Sequence, residues 1–213
     1  MSETLFEGLE TQAILSLDPV VTGQVLCVYL DKGVLKDAVK RLDEAGYYIE
    51  DVMGVDVAEG FELHYHFCLF QDGPTRITLK VQVPHDDPTV PTISDIYPGA
   101  QWHERETRDF YYITFEGIAN DSPILLAADM ADAAPLRKAE GAHKSYLDLA
   151  PPYEILQSED EHPLIKLAAD REQAAKEAAE KAEAERKAAE EAAAKKAAEE
   201  AAAKEAEAKE AEA

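Results

Sequence analysis

At residue 167 the chain changes character. From there to residue 213 it is almost wholly Ala, Glu, Lys and Arg, with no aromatic residue, Gly or Pro. A segment without large apolar side chains cannot bury enough surface to build a core. Any packed domain must therefore come from the first 165 or so of the 213 residues, enough for one ordinary domain. The tail itself has a visible design. Glu172–Lys176, Glu177–Lys181, Glu183–Lys187, Glu191–Lys195, Glu200–Lys204 and Glu205–Lys209 all place Glu four residues before Lys. That is the favoured orientation on a helix, contributing about 0.2–0.5 kcal/mol per pair, and Ala fills the gaps. The tail is predicted to be a long, charged, Ala-rich helix. It has no Leu or Ile heptads, so a coiled coil is not expected.

The formal net charge is −23, and the tail carries little of it. Residues 165–213 hold 14 acidic and 10 basic side chains, which leaves 30 and 11, a net of −19, on residues 1–164. An acidic body is repelled by phosphate backbones and by anionic lipid surfaces. Nucleic acid is excluded as a partner on this ground, and membrane contact is expected only through partner subunits. Cys27 and Cys68 lie in separate apolar runs with no CxxC spacing, as buried free thiols of a reducing cytoplasm would. Residues 1–10 contain three Glu and neither Lys nor Arg, unlike a signal peptide. No apolar run approaches membrane-spanning length.

Periodicity assigns most of the body. Residues 24–30 read as a strand and residues 32–45 as an amphipathic helix, with Leu35, Ala38, Val39 and Leu42 on one face and Gly46 as its stop. Residues 47–57, 61–70 and 75–83 read as strands. The turn residues at 71–74 join the last two in an antiparallel hairpin. Residues 85–91 read as a loop, 99–111 as a second helix and 122–130 as a short third one. Residues 1–23 remain ambiguous apart from a short apolar piece at 13–17. Residues 134–157 lack periodicity yet keep Tyr146, Leu147, Leu149, Tyr153, Ile155 and Leu156, which suggests an extended arm on another subunit. The predicted fold is α+β: a small, mainly antiparallel sheet flanked by helices. Its predicted divisions are an N-terminal segment 1–23, a domain 24–133, an arm 134–166 and the tail 167–213.

Residues 102–117 mix aromatic side chains with six charges of both signs, which elsewhere in the chain are kept apart. On a helix, the i, i+4 spacing couples Glu104 with Arg108 and Arg105 with Asp109. Glu104 and Glu106, at i, i+2, point to different faces, which argues against a catalytic carboxylate pair. Glu62, His64 and His66 alternate along one face of a strand. Two His and a carboxylate can begin a metal site, but a polar solvent face has the same pattern, and no metal is expected there. His85-Asp86-Asp87 reads as a turn whose Asp side chains satisfy local backbone donors. No phosphate loop, nucleophile elbow or HExxH is present, so neither an active site nor a cofactor is expected.

The run Trp102-x-Glu104-Arg105-Glu106-x-x-Asp109-Phe110-Tyr111, followed by Ile113-x-Phe115-x-Gly117 and later by Pro135-Leu136-Arg137-Lys138, resembles the signature of the 30 kDa subunit of respiratory complex I, the C-type subunit of NADH-quinone oxidoreductase. That family includes the equivalent small subunit of membrane-bound energy-converting nickel-iron hydrogenases. The resemblance spans roughly residues 25–140. It implies an α+β fold and a non-catalytic peripheral-arm subunit without a cofactor of its own. The implied partners are the large 49 kDa-like or nickel-iron hydrogenase-like subunit and neighbouring iron–sulfur subunits. The implied setting is cytoplasmic, peripheral to the membrane of a prokaryote. Carried onto this chain, the partner-binding residues are Trp102, Glu104, Arg105, Glu106, Arg108, Asp109, Pro135, Leu136, Arg137 and Lys138. Tyr112 stands where the family usually has Gly, and residues 118–130 lack the family's Arg-rich helix. Both departures point to a hydrogenase-type or ferredoxin-linked branch. The alternative reading is a free-standing acidic binding module with a helical spacer tail.

Overall fold

The computed structural model describes residues 3–71, 73–130, 133–139 and 141–149, together with Gln173, Lys176, Glu177 and Lys181. The chain divides into two units, Met1–Ile165 and Lys166–Ala213. In the second, the four described residues are helical, and Gln173 Nε2 donates to Glu177 Oε1 one turn on (3.3 Å). The rest of the expected tail helix, and residues 150–157 of the expected arm, lie outside the described residues.

The first unit is α+β and is built on a five-stranded sheet in the order β1-β2-β5-β4-β3. Its strands are β1 (Thr11–Ser16), β2 (Leu26–Leu30), β3 (Tyr48–Val57), β4 (Gly60–Cys68) and β5 (Ile77–Val83). Three of its pairings are antiparallel, and β2 with β5 is parallel, so the sheet is mixed. The parallel pairing follows from helix α2 (Leu35–Glu44), whose crossover returns the chain to β3 in the direction of β2. The expected antiparallel β4–β5 hairpin forms, and its register sets Leu63 opposite Val81 and Tyr65 opposite Leu79.

Period-2 alternation gives the sheet one apolar and one polar face. Leu26, Val28 and Leu30, Phe61, Leu63, Tyr65 and Phe67, and Ile77, Leu79, Val81 and Val83 belong to the core. The Leu35, Ala38, Val39 and Leu42 stripe of α2 belongs to it as well. Across the opposite face lie Glu62, His64, Lys80 and Gln82, joined by polar contacts.

Two expectations are corrected, and the ambiguous N-terminal stretch takes a place in the sheet. Residues 3–23 pack with the strands that follow: Phe6 is 1% exposed in the core and β1 forms a sheet edge on β2. A short helix α1 (Pro19–Thr22), capped by Asp18, joins these strands. A six-residue strand with a register shift between Thr11 and Ala13 and an apolar Ile14 on its outer side carries too short an alternation to read. The expected loop at 85–91 ends in β6 (Thr89–Pro91), which pairs in parallel with β7 (Thr114–Glu116). The helix expected over 122–130 is reduced to a 3-10 turn at Ala128–Met130. The N–H groups of residues 124–126 bond instead to the Asp109 carboxylate, which holds this stretch as irregular backbone. No disulfide joins Cys27, which is buried, to Cys68, which is half-buried. No helix among the described residues is long and apolar enough to cross a membrane.

Candidate functional site

Helix α3 (Ala100–Tyr111) carries the charged aromatic motif. It lies against edge strand β3, and Gly54 permits the close approach. A Cβ at Gly54 would sit 3.0 Å from the Tyr111 ring and 3.2 Å from the Thr107 methyl. Thr107 Oγ1 donates to the Val52 carbonyl (3.3 Å). The helix ends at Tyr112, whose left-handed conformation (φ 58, ψ 39) directs its N–H to the Arg108 carbonyl. Gly is the usual residue in this position.

The helix buries its charges on the inside. Glu104 is 0% exposed. It accepts from the Ile93 N–H (2.7 Å) and the Thr92 hydroxyl (2.5 Å), fixing the turn that leads into the helix. Burial pushes its carboxyl above the ordinary value, and those two donors only partly offset the push. Arg105 donates to the carbonyls of Ser122 (2.8 Å) and Pro123 (3.2 Å), and its guanidinium lies 5.5 Å from the Trp102 ring centroid. Asp109 Oδ2 accepts three successive backbone N–H groups, from Ile124, Leu125 and Leu126 (2.8–3.1 Å). Burial pushes the Asp109 carboxyl up, but these N–H groups and Arg108 hold it below the ordinary value. Arg108 lies 3.7–3.8 Å from Asp121 and Asp109.

The expected Glu104–Arg108 and Arg105–Asp109 couplings are therefore replaced. Glu104, Arg105 and Asp109 turn instead to irregular backbone packed on the helix, because buried N–H and C=O groups outside regular structure need partners from somewhere. No sequence signal pairs Asp109 with residues 124–126 beforehand.

The outer stripe is different. Trp102 is 59% exposed and Glu106 is exposed. Phe110, one turn further, is half-buried. A groove lined by Met53, Gly54, His103, Glu106, Phe110 and Leu136 runs beside this stripe. Met53 and Leu136 are 44% and 45% exposed. Leu136 is held there because its N–H donates to the Phe110 carbonyl (3.1 Å). Arg137 Nε donates to the Tyr111 carbonyl (2.9 Å) and stacks 4.9 Å over Phe61. The Lys138 N–H donates to Asp56 Oδ2 (2.7 Å), and Pro135 is exposed nearby. The described half of the expected arm thus returns to its own domain, adding an Ala58 N–H bond to the Lys144 carbonyl (3.0 Å).

The Glu62, His64, His66 alternation does not converge on a common point. His64 Nε2 lies 2.6 Å from Glu62, while His66 Nδ1 lies 2.6 Å from Asp51 on β3. A different trio does converge. Asp56, His85 and His143 bring one ligand atom each within 4.8 Å of one another. The turn reading of 85–87 missed this. Asp56 in the inward phase of β3, shared with Val52 and Gly54, is the signal that could have prompted it.

The model of the family described as "Respiratory-chain NADH dehydrogenase, 30 Kd subunit" matches residues 28–146. The C-type subunit of the F420H2 dehydrogenase of Methanosarcina mazei is 33% identical over 114 residues, 52% of this chain and 72% of that one. The C-type subunit of the NADH-quinone oxidoreductase of Chloroherpeton thalassium is 35% identical over 107 residues, 50% of this chain and 44% of that one. That of Roseiflexus castenholzii is 39% identical over 95 residues, 43% of this chain and 53% of that one. The chain thus spans about half the length of these quinone oxidoreductase relatives. A chain of the membrane-bound sulfane sulfur reductase, an archaeal respiratory membrane complex, shares the fold at a TM-score of 0.56 and 24% identity. The likeness covers 76% of this chain and 95% of that one. With residues 28–146 matched across the sheet, helix α3 and the returning segment, this chain belongs to the family of the 30 kDa subunit of respiratory-chain NADH dehydrogenase.

Proposed function

We infer that this chain is a non-catalytic peripheral-arm subunit of a multisubunit, membrane-associated oxidoreductase. It docks on the large subunit that holds the quinone or nickel-iron site, with iron–sulfur subunits as neighbours. It sits on the cytoplasmic side and reaches the membrane through those partners. One observation supports this reading above the rest: the motif splits into two faces. Glu104, Arg105 and Asp109 are spent on the chain's own backbone. Trp102 and Glu106 are left exposed on the outer stripe of the helix, and Met53, Glu106 and Leu136 line the groove next to it. A large aromatic and two apolar side chains ringed by polar groups make the kind of patch that anchors protein interfaces. Glu104, Arg105 and Asp109 then act on docking indirectly, by setting the angle and ends of the helix.

The test is co-purification of the tagged chain with its large subunit. The double variant W102A/L136E should lose the large subunit while its own thermal midpoint stays within about 2 °C of wild type, as exposed substitutions do. Undiminished association of a well-folded double variant would sink the assignment of this surface. The departures at Tyr112 and at residues 118–130 favour a hydrogenase-type or ferredoxin-linked branch within the same class, and nickel analysis of the purified complex decides between the branches.

A further inference from the structure

We propose that Asp56, His85 and His143 form a binding site for a divalent transition metal of the zinc class, and that the ion latches the segment 134–145 onto strand β3. The proposal is independent of which complex the chain belongs to.

The three ligands come from separate parts of the chain: Asp56 from β3, His85 from the connection between β5 and β6, and His143 from the returning segment. His85 Nε2 lies 2.7 Å and His143 Nε2 3.2 Å from the same oxygen, Asp56 Oδ1. The rings of the two His stand 5.1 Å apart. A tetrahedral ion with bonds of about 2.0–2.1 Å separates its ligand atoms by roughly 3.3 Å. The His143 distance already fits. The His85 distance must open by about half an ångström, and His85 is a loop residue whose side chain is 37% exposed, so it has room to move. On binding, each imidazole carries its proton on Nδ1 and turns the Nε2 lone pair to the ion.

The support around the ligands matches what metal sites require. Asp56 is 4% exposed, and its second oxygen, Oδ2, is fixed by the Lys138 N–H. That outer bond orients the carboxylate and leaves Oδ1 for the ion. His85 is oriented by an edge contact with the Phe61 ring at 4.8 Å. The guanidinium of Arg137 is engaged over Phe61 and by the Tyr111 carbonyl. Two imidazoles and one carboxylate suit zinc, cobalt or nickel rather than magnesium or calcium. The consequence is mechanical: an ion here ties His143 to the sheet. The segment carrying Leu136 then stays against helix α3, where Leu136 lines the groove.

The experiment uses the untagged full chain, freed of metal by chelator and titrated with Zn2+ in a calorimeter. One ion per chain is expected. His143→Gln and His85→Gln should each weaken binding at least about tenfold, since loss of even an outer-shell partner costs that much. The double variant H64Q/H66Q should bind as wild type does. An absence of binding, equal affinity in H143Q and wild type, or loss of binding in H64Q/H66Q would each overturn the site. Substitutions of Asp56 are avoided because they also remove the Lys138 bond. The latch is read separately by trypsin cleavage after Lys138 and Lys144: saturating Zn2+ should slow it in wild type and not in H143Q. Cleavage unchanged by Zn2+ in wild type would overturn the latch.

Discussion

Asp109 has one carboxylate oxygen on three consecutive backbone N–H groups, so it orders residues 124–126 from inside helix α3. Charged acceptors make hydrogen bonds worth about 1.5–3 kcal/mol each, offset here by burial of the charge. Asp109→Ala should cost about 3 kcal/mol in urea denaturation, and Asp109→Asn less, because the amide oxygen still accepts. Tyr112 gives the opposite sign. A non-Gly residue in the left-handed region costs roughly 1–2 kcal/mol, and Tyr112 is 43% exposed at φ 58. Tyr112→Gly should raise stability by about 1 kcal/mol, whereas Tyr112→Ala should not, and the difference between the two in thermal unfolding checks the cause. The departure at Tyr112 was legible in the sequence, but the strain it carries was not. Strain depends on φ, and φ at this position is set by how the helix ends against the following strand.

At the scale of elements, local pattern and tertiary demand agree for β2 to β5 and for α2, whose buried stripe Leu35, Ala38, Val39 and Leu42 matches the helical period. The hairpin between β3 and β4 shows why one turn residue is obligatory. Gly60 adopts φ +144, and a Cβ there would lie 2.3 Å from the Val83 carbonyl oxygen. Backbone cannot yield as a flexible side chain can, so Gly60→Ala should cost about 3 kcal/mol or more, or prevent folding. Circular dichroism and urea titration check this. Pattern and structure part at β6, β7 and residues 122–127. Strands of three residues carry no readable period, and the carbonyls of Ser122 and Pro123 and the N–H groups of residues 124–126 take their partners from α3. The helix motif itself was visible, but which of its charges turn inward was not. An i, i+4 rule describes an isolated helix in water, and here irregular backbone competes for the same side chains and wins.

For the whole molecule, the acid response follows from groups that the fold brings together. Burial pushes the Glu62 carboxyl up, but the hydrogen bond from His64, the charge of Lys80 and the Gln82 amide outweigh it and hold the group at about 2, against an ordinary 4.5. A lowered folded value means that stabilisation is complete above the ordinary value and is lost as pH falls through the folded one. The loss therefore lies between pH 4.5 and about 2 and amounts to roughly 3 kcal/mol. Asp109, also lowered from 3.8, adds to it in the same direction. Glu104, raised by burial, works against it. Thermal midpoints should fall over this window in wild type and fall less in Glu62→Gln, whose stability at neutral pH is lower. The sequence by itself determined the acidic body, most strands, both longer helices and, through a motif at residues 102–117, the family. These rest on spacing between near neighbours, where period and turn chemistry act. Only the tertiary structure decided the parallel β2–β5 pairing, the inward turn of Glu104, Arg105 and Asp109, the groove beside Trp102 and the meeting of Asp56 with His85 and His143. Each of these joins groups that the chain's local pattern does not pair, and which groups meet is fixed by burial and by satisfying buried backbone, neither of which local spacing encodes.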